Sequence, residues 1–343
     1  MTAEAIQIPA LLSALSSVQS GSQGSVTILP FTAVTDPNIN EAVFFLKPEA
    51  LDAGSGVAVE KLLDLVLGQF AKSGVSVHAA LVLGYQYLQQ FDVIARHYGV
   101  INSISRNGQD AISDAAKAKL QELFGEELAK GAQVKGGHQL IELYPDLTPK
   151  ALDVLVSNVG SKKLAPGTYC AKVVIDGATY LLLNAFHPFQ IEHFTRPGRA
   201  IIVLVVRSQT PWKTLRNEVL GATNPANAAA GSLRRTFLEQ RGELGLKQVD
   251  QGNNAVHLSA GPLEGMVELG NYFSDYTSGQ RLDLAETAFG KLLLANGFGH
   301  DQLAGLAKNP QFVVDGKQVS AFDLTEETQP AEAVALLKQN PLA

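Results

Sequence analysis

The run Ala200-Ile-Ile-Val-Leu-Val-Val206 contains no polar residue and no helical spacing. An unbroken, largely β-branched apolar stretch of this length reads as a strand covered on both faces. On its C-terminal side, Thr210-Pro211 opens a helix as N-cap and first-turn proline, with Trp212, Leu215 and Val219 on one face, and Gly221 closes it. Residues Asn253 to His257 then read as a short strand, and Pro262 to Phe273 as a helix with Leu263, Met266, Gly270 and Phe273 on one stripe. Far upstream the same order occurs once before. Ala42-Val-Phe-Phe-Leu46 is a buried strand that stops at Lys47-Pro48. Val59, Leu62, Leu63, Val66 and Phe70 recur at helical spacing, Gly74 ends that helix, and Val75 to Leu83 is a second strand. A further helix carries Leu88, Phe91, Ala95 and Tyr98 on one face. Strand-helix-strand written twice is the split βαβ order. The fold class is therefore α/β (α+β): a ferredoxin-like antiparallel sheet with covering helices.

The stretch at about 100–185 interrupts this order. It holds an alanine- and charge-rich helix from Ala111 to Lys130 and an Asp176-Gly177 turn between two β-prone runs, a hairpin signal. It is expected to be an inserted helical and hairpin segment. Residues 1–40 form an N-terminal extension in which Ile6, Ile8, Leu11, Leu12 and Leu15 suit either a short docking helix or a partly ordered leader. Residues 41–273 make the main domain. Residues 274–343 form a helical C-terminal extension, less regular from Asn309 to Gln329, with a last helix started by Pro330.

Composition narrows the function. With 343 residues, 46% hydrophobic and 17% charged, the chain has the balance of a globular protein with a sizeable core. A net charge of -6 argues against a nucleic-acid partner, which needs a basic surface. No apolar run is long enough to span a bilayer, and the first residues lack the basic start of a secretory signal. Cys170 is the only cysteine and so forms no internal disulfide, which fits a reducing, cytoplasmic setting. Walker-type, Gly-x-Gly-x-x-Gly and Gly-x-Ser-x-Gly signals are all missing, and one cysteine with scattered histidines supplies no zinc spacing. His187 and His193 could share a metal, but hydrogen-bonded histidines are the plainer reading, and no metal ligand set is assigned.

The distinctive chemistry lies in three segments: Phe45-Leu-Lys47-Pro-Glu-Ala50, the loop Gly221-Ala-Thr-Asn-Pro-Ala-Asn-Ala-Ala-Ala-Gly-Ser-Leu-Arg234, and Asn254-Ala-Val-His257-Leu-Ser259. Together they resemble the nucleoside diphosphate kinases, with their Lys-Pro-Asp-Ala, Gly-x-Thr-Asn-Pro, Gly-Thr-Ile-Arg and Asn-x-x-His-Gly-Ser-Asp motifs in the same order. The resemblance covers roughly 42–98 and 187–273, less than half the chain. It implies transfer of the γ-phosphate of ATP to a nucleoside diphosphate by a ping-pong route through a phosphohistidine at His257. Histidine suits this route because neutral imidazole is nucleophilic near neutrality and its phosphoramidate passes the group on. Glu268, at the family spacing, would orient the histidine through Ser259. Lys47, Arg216, Thr223 and Arg234 would contact the phosphates, Asn254 the sugar or phosphates. Tyr98 would stand near the active histidine and Phe189 would stack on the base. Magnesium (Mg²⁺) would be held mainly by the phosphates. The implied partners are ATP and nucleoside diphosphates, with a homodimer or monomer favoured over the larger assemblies of the family.

The chain also departs from the pattern. Leu258 and Ala260 replace a glycine and an aspartate after the histidine, Ala230 replaces a loop proline, and the helix holding Arg216 has one residue more before Gly221. The insertion falls beside the expected base-binding region, so an altered base or acceptor preference is expected. The alternatives are the same phosphohistidine chemistry with another acceptor, and a non-catalytic nucleotide-binding or scaffolding relative.

Overall fold

The computed structural model describes residues 6–343. The first five residues of the N-terminal extension, including the start that was read for a signal, lie outside the described residues. The chain forms two compact units: residues up to Phe91 together with Pro197–Ala343, and Asp92–Arg196.

The first unit is built on a five-stranded antiparallel sheet. Its strands are β1 (Ser25–Leu29), β2 (Asn40–Leu46), β3 (Val75–Gly84), β4 (Ala200–Ser208) and β5 (Val256–Leu258), in the spatial order β1-β3-β4-β2-β5. With β1 set aside, this is the split βαβ order expected from the sequence. Strands β2 and β4 are buried at every position, in keeping with their unbroken apolar runs. Helix α1 (Ile8–Gln19) docks Leu11, Ala14, Leu15 and Val18, so of the two readings of this segment the docking helix is the one found. Strand β1, which extends the sheet beyond β3, was not anticipated; the alternation in Ser-Val-Thr-Ile-Leu spans only five residues. Helix α2 (Val59–Lys72) buries Val59, Leu62, Leu63, Val66 and Phe70, and Phe70 meets Phe44 of β2 edge-on at 4.9 Å.

After β4, Trp212 starts a short helical turn and is fully buried. The chain then winds into a π turn, Leu215–Leu220, closed by Gly221 N–H donating to Arg216 O at 3.0 Å. A π turn accommodates one extra residue within a helix. That is how the surplus residue before Gly221 is absorbed. Gly221 has φ +93°, and an added Cβ would lie 2.4 Å from Ser232 Oγ, so glycine is required. Helix α3 (Leu233–Glu239) and helix α4 (Pro262–Tyr272) flank β5.

The C-terminal segment has its own core, in which Phe289, Leu293, Leu303, Phe312 and Leu337 join Leu263 and Met266 of α4. The less regular stretch after Asn309 contains a hairpin, Gln311–Val314 with Lys317–Ser320, and the last helix is Pro330–Gln339. A buried ion pair ties both extensions to the sheet. Glu41 Oε1 lies 2.7 Å from Arg207 Nε, Arg207 also donates to Thr32 O, and Glu41 Oε2 accepts from Ala288 N at 2.8 Å.

The second unit has a four-stranded sheet in the order Gln133–Gly136, Ala178–Leu183, Thr168–Ile175, Lys162–Ala165, with the first pair parallel. The Asp176-Gly177 hairpin is present, both residues at positive φ. The helix read through Leu88 and Tyr98 is interrupted at Asp92, φ +49°, leaving Tyr85–Gln90 and Val93–His97. Among the described residues no helix is long and apolar enough to cross a membrane.

Candidate active site

Strand β5 places His257 at its centre, opposite Phe45 of β2. The chain reaches it through a strained turn. Ala255 has φ +67°, and Val256 N donates to Asn254 O at 2.8 Å. A left-handed non-glycine residue costs about 1–3 kcal/mol and persists only when its surroundings hold it. Here Glu49 Oε1 accepts from Ala255 N at 3.1 Å, and Ala255 O accepts from Lys47 N at 2.8 Å. The Lys47-Pro48-Glu49 segment therefore fixes the approach to the histidine.

The imidazole of His257 stacks on Phe45, with centroids 4.6 Å apart and planes at 21°. Its Nε2 lies 2.7 Å from Glu268 Oε1 on α4. The other oxygen, Oε2, accepts from Ser259 Oγ at 2.5 Å, and Ser259 Oγ in turn accepts from Val43 N at 2.9 Å. Ser259 and Glu268 are both buried. A carboxylate at this distance from Nε2 favours the tautomer that carries its proton there. One helical turn earlier, Glu264 accepts from Ala260 N at 3.1 Å. Burial, then the charge of Glu268, push the Glu264 carboxyl up to about 8. At neutral pH the Glu264 carboxyl is thus held largely in its protonated form.

The expected cations surround β5. Lys47 Nζ donates to Asn254 Oδ1 at 2.6 Å, and its pKa is lowered, first by burial and then by Arg234, against the opposing pull of Glu49. Arg234 is buried and donates to Gly221 O at 2.9 Å and Val256 O at 3.0 Å. Arg216 donates to Leu258 O at 2.7 Å. The two guanidinium groups therefore grip the carbonyls on either side of His257. Asn254 Nδ2 donates to Thr223 O at 3.1 Å, so the Asn-Pro loop is tied here through its main chain, and the Thr223 side chain is exposed.

Lys47, Arg216, Thr223, Arg234, Asn254, His257, Ser259 and Glu268 all belong to the first unit. Tyr98 and Phe189 belong to the second. Tyr98 ends the helix Val93–His97 and meets the rings of His97 and His187 edge-on. Phe189 lies in the helix His187–Thr195 with Lys150 Nζ 4.1 Å from its ring centre. Sequence reasoning gave no role to Phe45 or Glu49; the β2–β5 register, which only the fold supplies, is what brings them to the site. Among the described residues of the first unit, both oxygens of Glu268 already meet His257 and Ser259, an arrangement compatible with a metal carried on phosphate oxygens.

No family model matches the chain. It is 31% identical over 118 residues to a nucleoside diphosphate kinase of Syntrophotalea carbinolica, covering 34% of this chain and 73% of that one. It is 35% identical over 92 residues to one of Ruegeria pomeroyi, covering 27% and 59%, and 44% identical over 95 residues to one of Dinoroseobacter shibae, covering 28% and 61%. The chain thus spans about three-fifths of the length of the last two relatives.

Proposed function

The chain belongs to the nucleoside diphosphate kinase family, and from that membership we propose that it transfers the γ-phosphoryl group of ATP to a nucleoside diphosphate through a phosphohistidine at His257. The observation that carries the reading is the His257–Glu268–Ser259 relay, its serine and glutamate buried. In the first half-reaction the Nδ1 lone pair attacks Pγ, an N–P bond forms, and the bond from Pγ to the β,γ-bridging oxygen breaks to release ADP. The ring then carries a positive charge, which Glu268 offsets through Nε2–H. In the second half-reaction a terminal β-phosphate oxygen of the acceptor attacks Pγ, and the N–P bond returns its pair to Nδ1. Lys47, Arg216 and Arg234 supply cations around the transferring group, Arg234 with a planar fork. Asn254 and Thr223 complete the nucleotide contacts of this reading within the first unit. Magnesium, carried on the nucleotide phosphates, would neutralise part of their charge.

The division into a 1–40 extension, a kinase-like domain at 41–273 with its insertion, and a 274–343 extension is part of the proposal. So is a cytoplasmic setting. A homodimer is included, with β1 the last strand on its side of the sheet; a monomer by light scattering removes that part.

One observation favours a second reading, the same chemistry with an unusual acceptor or base. Lys150 already covers a face of Phe189, the aromatic expected to stack on the base. Purified protein incubated with Mg²⁺ and γ-labelled ATP is expected to carry an acid-labile phosphate that His257→Ala lacks. Discharge by each nucleoside diphosphate in turn ranks the acceptors. Label that no diphosphate removes supports the second reading, and an unlabelled but ATP-binding protein overturns both.

A further inference from the structure

The C-terminal extension reaches the candidate site at the position where the family motif loses its carboxylate. Glu327 N donates to Ala260 O at 2.9 Å, so the extension is bonded to residue 260 itself. The next residue, Gly261, lies so close to the extension that a Cβ there would come within 2.4 Å of Thr325 O. From this seat Glu326 Oε1 lies 3.9 Å from Arg216 NH2, while Arg216 NH1 holds Leu258 O. Asn217 Nδ2 donates to Glu327 at 3.4 Å on the same turn. Arg216 Nε is buried and has no hydrogen-bond partner among the described residues, so the guanidinium is oriented by its two terminal nitrogens.

We propose that Glu326 is a positioning residue for Arg216, supplying from the extension the carboxylate that Ala260 lacks. Glu264 also feels the charge of Arg216, but burial and the charge of Glu268 push its carboxyl up and its Oε2 is spent on Ala260 N. Burial raises the Glu326 carboxyl and the charge of Arg216 opposes that rise, so the carboxylate is held in a costly place chiefly by this arginine. A guanidinium steered at one end by a carboxylate and at the other by the Leu258 carbonyl loses rotational freedom before a phosphate arrives. The effect belongs in nucleotide affinity rather than in the chemical step.

The inference rests on the proposed phosphotransfer site, so binding and turnover are measured separately on the full-length protein. Glu326→Gln is expected to weaken Mg–ADP binding by calorimetry, and to raise the nucleotide KM, about 3- to 5-fold, the range of a partly exposed ion pair, with kcat within about twofold. Adding Ala260→Asp to that variant should restore both constants to within about twofold of the parent. Unchanged or tighter binding in Glu326→Gln, or a loss that Ala260→Asp does not restore, overturns the proposal. A parent protein that binds Mg–ADP but transfers no phosphate refutes the kinase reading alone and leaves the binding series to decide on Glu326. A parent that does not bind Mg–ADP refutes both.

Discussion

At the scale of single residues, the site depends on a histidine whose Nε2 faces a carboxylate. Replacing Glu268 by glutamine keeps a hydrogen-bonding group at Nε2 but removes the charge that holds the proton there. Glu268→Gln is therefore expected to slow phosphorylation of His257 about 100-fold, the scale of lost acid–base assistance, with little change in nucleotide affinity. Single-turnover labelling checks this. Glu264 gives a pH signature. Its carboxyl is higher in the folded chain, about 8, than its ordinary 4.5, so its contribution to stability is full below pH 4.5 and is lost as pH rises through 8. The stability difference between the parent and Glu264→Gln should shift against the parent across that window, as thermal melts at a series of pH values would show. Much of this was legible beforehand. His257, Ser259 and Glu268 lie in one short strand-to-helix segment, and the family resemblance is what named the three together. The strained Ala255 was not legible, because nothing in alanine signals a left-handed backbone.

At the scale of elements, the turn before Gly221 shows how local irregularity serves the site. The surplus residue was visible in the sequence, but whether it would lengthen, kink or bulge the helix depends on packing around Trp212 and Val219. Gly221 both ends the π turn and offers its carbonyl to Arg234. Gly221→Ala adds a left-handed strain and a clash with Ser232, together about 3 kcal/mol. Urea titration should show that loss, with nucleotide affinity falling too. In the second unit, burial lowers both His138 and His187 to about 4. A group whose folded pKa is depressed stabilises fully above its ordinary 6.5 and loses that contribution as pH falls through 4. Hydrogen-exchange protection across Asp92–Arg196, taken relative to the intrinsic rate at each pH, is expected to fall on acidification over this range, and His138→Gln with His187→Gln should blunt the change.

At the scale of the whole chain, the sequence offers an expectation of where the family pattern starts and stops but none of how the flanking segments attach. The Glu41–Arg207 pair reads as two separated charges on strands otherwise apolar, and only the β2–β4 register brings them together. That pair is where Thr32 and Ala288 meet the sheet. Removing one member leaves the other charge buried, so Glu41→Ala should cost about 3–5 kcal/mol. The expected result is a lower melting temperature, with faster hydrogen exchange in the helix Ala288–Ala295. A C-terminal truncation after Phe273 would likewise bare Leu263 and Met266, which the extension covers. Dye binding to exposed apolar surface would detect it.

The sole tryptophan of the chain is Trp212, sealed in the core of the first unit and a few residues before Arg216. The molecule therefore carries its own optical probe. Intrinsic emission, excited selectively at the indole, follows the surroundings of one turn in one unit, with no label attached. A change on adding nucleotide would be read at the turn that bears Arg216, and a red shift in denaturant would time the opening of the first unit separately from anything in the second.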